Sequence, residues 1–166
     1  HEISAFEYAS PANEHAWVNS LDAVILGATE IDTDFNVNVH TNSSGTIMGG
    51  SGGHSDTAAG AKLAMVIAPL FRARQPIITE RVSCVSTPGR DIDVFVTQYG
   101  IAVNPKNEEL RDRLIRARLP IVSIEELKAK AESLCGVPKA LEHGERVVAK
   151  VIGRGGEVQD LIYCKR

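Results

Sequence analysis

Cysteine is scarce in this chain. Only Cys84, Cys135 and Cys164 occur among 166 residues, and no two stand in Cys-x-x-Cys spacing. An odd number at such spacing argues against a disulfide framework or a thiolate metal site, and reads as buried or free thiols in a reducing cytoplasm. Long apolar runs are absent as well. None approaches the roughly 20 residues of a membrane span, and no signal peptide opens the chain, so no membrane association is expected. Charge of one sign is not in excess, and a net charge of −3 gives no reason to expect a nucleic-acid partner. There is no internal repeat and no low-complexity segment, and the first residue is not Met. With 43% hydrophobic and 23% charged residues, the chain has the composition of a soluble globular protein and length enough for one domain with a core.

Glycine, by contrast, is concentrated. Gly49-Gly50-Ser51-Gly52-Gly53 places four glycines in five residues, followed by His54-Ser55-Asp56-Thr57 and the small run Ala58-Ala59-Gly60-Ala61-Lys62. Glycines let the backbone turn tightly and leave no side chain between its N–H groups and a ligand. The polar quartet offers candidate N-caps for a short helix, with Asp56 expected to cap it. A glycine loop feeding a helix can bind an anion or stabilise a developing oxyanion. A mobile surface turn is the competing reading. The Walker A and Rossmann patterns both fail because Ser55 stands where each requires a glycine. Gly49-x-Ser51-x-Gly53 does match the nucleophile elbow of serine hydrolases, and Asp93 and His143 follow in hydrolase order. Against that reading, the elbow should follow an apolar strand, whereas 41–46 is polar and turn-like. His143 also lies in what reads as a linker.

Elsewhere the pattern predicts a short helix within 11–19, a strand at 21–26 buried on both faces, a half-buried strand at 35–40, and a buried strand at 63–69. Further strands are expected at 82–85, 93–97 and 101–103, with a turn at Pro88-Gly89. Glu30, Asp32 and Asp34 put three carboxylates in five residues. Asp34 reads as solvated, and Glu30 or Asp32 as either a turn residue or one beside a site. His40 reads as a surface or hydrogen-bonded histidine. Arg72, Arg74 and Arg81 read as charged surface or as phosphate ligands. A solvated amphipathic helix is expected over 108–118. Ser123-Ile-Glu-Glu126 is a capping box that starts a helix running to Cys135 and stopping at Gly136. The end of the chain, 146–152 and 158–163 around Arg154-Gly-Gly-Glu157, reads as a β-hairpin. Strands alternating with helices indicate an α/β domain with a mixed, largely parallel sheet flanked by helices. The division is 1–142 for that domain and 143–166 for the hairpin extension.

Three stretches together resemble the citrate lyase alpha chain family: Glu30 to Val39, the loop Gly49 to Lys62, and Val94 to Pro105. Ser123 to Lys128 and the closing hairpin fit the same family. The resemblance implies a CoA-transferase-like fold of two related α/β domains with an active site between them, of which this chain resembles the C-terminal part. It implies exchange of acetyl for citryl on a carrier thioester, acetyl-carrier plus citrate giving citryl-carrier plus acetate. The implied partners are the beta chain, the gamma chain (the acyl carrier) and the remainder of the alpha chain. No covalently bound cofactor is implied; CoA, or the carrier's phosphoribosyl dephospho-CoA arm, enters as thioester substrate. Two departures stand out. The superfamily's thioester-forming glutamate lies upstream of anything present here, and Gln98 stands where superfamily members commonly carry glutamate in Val-Thr-Glu-Tyr-Gly. Glutamine keeps the hydrogen bonding but not the charge.

Such an exchange passes through oxyanions and needs pre-aimed N–H donors. Gly52 and Gly53 are the expected donors, and His54 the group that contacts a substrate carboxylate or the acyl oxygen. Gly50, Ser51, Asp56, Glu30, Gln98 and Gly100 are expected around the substrate, and no metal site is expected. The alternatives are a malonate-type carrier transferase, a non-catalytic fragment that binds a thioester arm or partner chain, and the Ser51 hydrolase.

Overall fold

The computed structural model describes residues 2–139 and 141–166. The first element is a helix, α1 (Ala5–Ala9), opened by a reciprocal capping box. Glu7 N–H donates to Ser4 Oγ at 3.1 Å, and Ser4 N–H donates to Glu7 Oε2 at 2.8 Å. The helix expected within 11–19 is reduced to a 3₁₀ turn at Trp17–Ser20. The Ser4-x-x-Glu7 spacing, not Pro11, was the stronger local signal.

Strands β1 (Val24–Leu26), β2 (Glu30–Asp32) and β3 (Val37–Asn38) precede the glycine loop, which leads into α2 (His54–Gly60). Then come β4 (Ala64–Ile67), the small hairpin β5 (Phe71–Arg72) and β6 (Gln75–Pro76), and β7 (Ile78–Thr79). Strands β8 (Val94–Thr97) and β9 (Gly100–Val103), then helices α3 (Glu108–Arg116) and α4 (Ile124–Cys135), complete the α/β body. The hairpin of β10 (His143–Ile152) and β11 (Val158–Lys165) ends the chain.

The main sheet runs β1-β4-β8-β9, parallel at its first two pairings and antiparallel at the β8–β9 turn. A second sheet, β3-β2-β7, lies beside it. The core between them is built on Ile31, Phe35, Val66, Leu70, Ile78 and Phe95, closed by Leu127 and Ala131 of α4. Helix α4 has the expected bounds and capping box, and α3 buries none of its residues. A mixed, largely parallel sheet with flanking helices and a C-terminal hairpin is thus the architecture. No helix among the described residues is long and apolar enough to cross a membrane.

Several expected strands are shortened for tertiary reasons. The strand at 21–26 begins only at Val24 and is not buried on both faces, since Ile25 on this edge strand is 64% exposed. The run 35–40 keeps only two strand residues: Phe35 takes φ 64°, and Asn38 is buried outright rather than facing solvent. Residues 82–85 form no strand, because the N–H groups of Val82, Ser83 and Val85 go to the carboxylates of Asp32, Glu30 and Asp160 instead. Asp34, Arg72, Arg74 and Arg81 are exposed.

Candidate active site

All three parallel strands, β1, β4 and β8, end at one edge of the sheet, the edge where open α/β sheets place ligands. The glycine loop reaches this edge. A tight turn, in which Asn42 Oδ1 receives the N–H groups of Ser44 and Thr46 at 2.9 Å each, sends the chain back towards His40. The loop then runs from Gly49 into α2, whose N-cap is Gly53. Gly52 sits at φ +55°, a conformation that side chains disfavour. A Cβ added at Gly49, Gly50 or Gly52 would meet nothing within 4 Å, so the loop borders open space. Among the described residues, no protein acceptor takes the N–H of Gly52 or Gly53.

The polar quartet caps nothing. No side chain hydrogen-bonds at the N-cap, and Asp56 instead accepts from Arg154 Nε at 3.2 Å, correcting the expectation that it caps α2. The φ of Gly53 is −85°, so the backbone demand for glycine falls on Gly52 rather than Gly53.

His54 is held at both ring nitrogens. Nδ1 meets Thr87 Oγ1 at 2.7 Å and Nε2 meets the carbonyl oxygen of Gly27, just past the end of β1, at 2.9 Å. A carbonyl only accepts, so Nε2 carries the proton and Nδ1 accepts from the Thr87 hydroxyl. Burial pushes the imidazole below its ordinary pKa, the Gly27 hydrogen bond opposes this, and the nearby His40 adds to it. His54 is therefore a neutral tether under the loop, with neither nitrogen free for substrate. His40, also lowered by burial, is bonded through Nδ1 to Ser86 Oγ.

Glu30 and Asp32 are spent inside the fold. Glu30 accepts from Asn38 Nδ2 at 2.9 Å and from Ser83 Oγ at 2.8 Å. Asp32 accepts from Asn36 N at 2.8 Å, Asn36 Nδ2 at 3.1 Å, Asp34 N at 3.1 Å and Val82 N at 3.3 Å. Burial pushes its carboxyl above the ordinary range, and the Asn36 and Val82 hydrogen bonds pull it back. Gln98 lies at the turn after β8, on the same sheet edge as the loop but roughly two strand spacings, ~10 Å, from β1. Its Oε1 accepts from Leu70 N at 3.0 Å. Gly100 is glycine for packing: its φ is +153°, and a Cβ there would come within 2.6 Å of Val122 Cγ2.

The hydrolase constellation does not assemble. Residues 42–50 contain no strand, Asp93 Oδ2 is taken by Ala64 N at 2.7 Å, and His143 is an exposed strand residue paired with Lys165. A hollow of about 730 Å³ lies between α4 and the hairpin. Glu30, Arg81, Lys128 and Tyr163 are among its walls, but no loop residue is. Among the described residues, no group of three or more His, Cys, Asp or Glu is arranged to hold a metal ion. Thr87, Ser86 and Arg154, which fix the loop's surroundings, carried no local sequence signal.

Comparison with known proteins agrees with the resemblance read from the loop and the β8–β9 turn. The family model for the citrate lyase alpha subunit (CitF) matches residues 1–164. The citrate lyase alpha chain of Klebsiella pneumoniae is 52% identical over 161 residues, 97% of this chain and 32% of that protein. That of Escherichia coli K12 is 48% identical over 162 residues, again 32% of its length. A solved Streptococcus mutans structure, named for the alpha subunit of citrate lyase in complex with citrate, superposes with a TM-score of 0.97 at 43% identity. It covers all of this chain and 32% of that one. The chain thus spans about a third of the length of these relatives, and it belongs to the citrate lyase alpha-subunit family.

Proposed function

We propose that this chain carries the oxyanion-binding loop of a citrate transferase that exchanges acetyl for citryl on a carrier thioester. Residues 1–142 are read as the C-terminal part of the transferase fold and 143–166 as its hairpin extension. A citrate carboxylate attacks the acetyl thioester carbonyl, the C–S bond breaks, and a mixed anhydride and a thiolate result. The thiolate then attacks the citryl carbonyl of the anhydride, releasing acetate. Each addition places negative charge on a carbonyl oxygen, and two aimed N–H donors in a water-poor site stabilise that charge. Gly52 and Gly53 supply them; Gly50 and Ser51 keep the approach clear, and His54 holds the loop over the sheet edge.

The observation that carries this reading is the pair of unspent N–H groups at Gly52 and Gly53, beside open space, in a chain of this family. Citrate is favoured over malonate because the Streptococcus mutans relative is named for its citrate complex. The remaining two-thirds of the alpha chain, the beta chain, and the gamma carrier with its phosphoribosyl dephospho-CoA arm are the proposed partners, in the cytoplasm.

The test grafts this segment into the Klebsiella pneumoniae alpha chain in place of its own and follows labelled acetate released from acetyl-carrier. Release with citrate, and at least tenfold less with malonate, is expected. The 166-residue segment by itself is expected to release none, since it spans about a third of the length of its relatives. Release by this chain alone, or malonate working as well as citrate, overturns the reading.

A further inference from the structure

The segment 49–57 carries the loop into α2, and among the described residues its side chains hydrogen-bond to other parts of the chain through only two residues. One is His54, bonded to Thr87 and Gly27; the other is Asp56, bonded to Arg154. Arg154 lies in the turn of the C-terminal hairpin. The Arg154 and Asp56 side chains are 30% and 27% exposed, so this pair is more sheltered than an ordinary surface ion pair. Asp56 follows Gly53 by three residues, a spacing that puts both on one face of the helix.

The route through Thr87 leads to the same hairpin. Residues 85–87 form a strap in which Ser86 and Thr87 are buried. On one side the strap pairs with Val37 of β3, and its two hydroxyls hold His40 and His54. On the other side β11 grips it. Gln159 Nε2 donates to the carbonyls of Val85 and Ser86 at 2.7 and 3.0 Å, and Val85 N donates to Asp160 Oδ2 at 2.7 Å. Cys84, Val151 and Ile162 pack the strap onto the hairpin. In that cluster the Cys84 thiol is pushed up to about 12, first by burial and then by the charges of Asp160 and Glu30.

With open space on its outer side, the loop is located from beneath, and both tethers converge on the hairpin. We propose that the hairpin positions the glycine loop for exchange. Arg154 and Gln159 are positioning residues, acting through Asp56 and through the Thr87–His54 bond respectively. The proposal rests on the transferase reading of the loop. A displacement of about 1 Å from a remote change can cost on the order of 10² in rate, and small displacements of donors are what loss of either tether would permit.

The test uses the same full-length graft, with kcat and KM determined for citrate and for the acetyl thioester on protein whose folding is checked by thermal melt. Arg154→Ala and Gln159→Leu should each lower kcat about tenfold while both KM values stay within threefold. Arg154→Lys should recover most of that loss. Asp56→Ala should match Arg154→Ala, and the double variant should be no worse than either single, because both remove one interaction. Lys150→Ala, on the exposed part of the hairpin, should be silent. Should Gln159→Leu fail to fold, the Arg154–Asp56 cycle decides. An unchanged kcat beside a lowered Tm would make the hairpin a stabilising element only and overturn the proposal. A tenfold rise in KM for citrate or thioester at constant kcat would make Arg154 an anion ligand, which also overturns it. A parent graft without exchange overturns the transferase reading first, and this assignment with it.

Discussion

Asp32 receives four N–H groups and Glu30 two together with the Ser83 hydroxyl, whereas Gly52 and Gly53 give theirs to no acceptor within the described chain. By residue type, Glu30 and Asp32 read as either turn residues or residues beside a site. The structure separates the two regions by how much of their hydrogen-bonding capacity is already used. Buried carboxylates with filled lone pairs hold β2 against the 82–85 segment and have little left to offer a substrate. Backbone donors beside open space hold nothing in place, and a ligand can use them at no cost to the fold. On the proposed reading, stability falls to one region and chemistry to the other.

The largest expected effect tests the chemical side. Gly52→Val in the full-length graft should lower exchange by about 10²–10³, as loss of an oxyanion donor does, because a β-branched side chain strongly disfavours φ +55° and would stand in the open space a ligand would enter. Ser51→Ala should stay within threefold in the same steady-state assay; complete loss there would restore the nucleophile reading. The structural side should respond in the opposite currency. Asp32→Asn keeps one acceptor oxygen and turns an NH₂ group towards donors. It should lower stability by about 1–3 kcal/mol, seen as a Tm drop of roughly 3–10 °C, with kcat of the folded protein unchanged. A loss of kcat without a loss of Tm would erase the distinction.

A smaller effect concerns the two histidines under the loop. Burial holds His40 and His54 below the ordinary value of 6.5 in the fold. The unfolded chain therefore binds protons that the folded chain refuses, and stability rises with pH across the interval between folded and unfolded values. Their contribution is complete above pH 6.5 and is lost as pH falls from there towards the folded values. Melts from pH 8 to 5 should show Tm falling below about 6.5, and His54→Gln should flatten part of that slope. Asp32, raised from 3.8 by burial, acts in the opposite sense as pH rises above 3.8. Smallest of all, Gln98→Glu should change exchange by less than tenfold, since either side chain can accept from Leu70 N. A larger gain would give the missing charge a role.

What was legible in the sequence was local. The capping box at Ser123 and the stop at Gly136 fixed α4, because both signals lie within a few residues of the ends they define. The apolar runs of β4 and β8 and the glycine turn of the hairpin were readable for the same reason. Asn38 defeated the alternating pattern because its partners, Glu30 and Thr41, let a polar side chain be buried. The glycine loop stood out through composition and family resemblance, but its anchoring had no local signal. The Thr87 partner of His54 is 33 residues away, and the Arg154 partner of Asp56 is 98. No window of sequence contains either pair.

On the proposed reading, the Gly52 and Gly53 N–H groups are free in the chain and are taken up by the reacting carbonyl. The most direct measurement is an amide NMR titration of the ¹⁵N-labelled full-length graft with a ketone analogue of the acetyl thioester, whose carbonyl meets the loop but cannot be transferred. Downfield shifts of the Gly52 and Gly53 amide protons are expected on binding, while the Ser83 amide, already committed to Glu30 at 3.2 Å, stays in place. Saturable binding that leaves both glycine amides unmoved would contradict it.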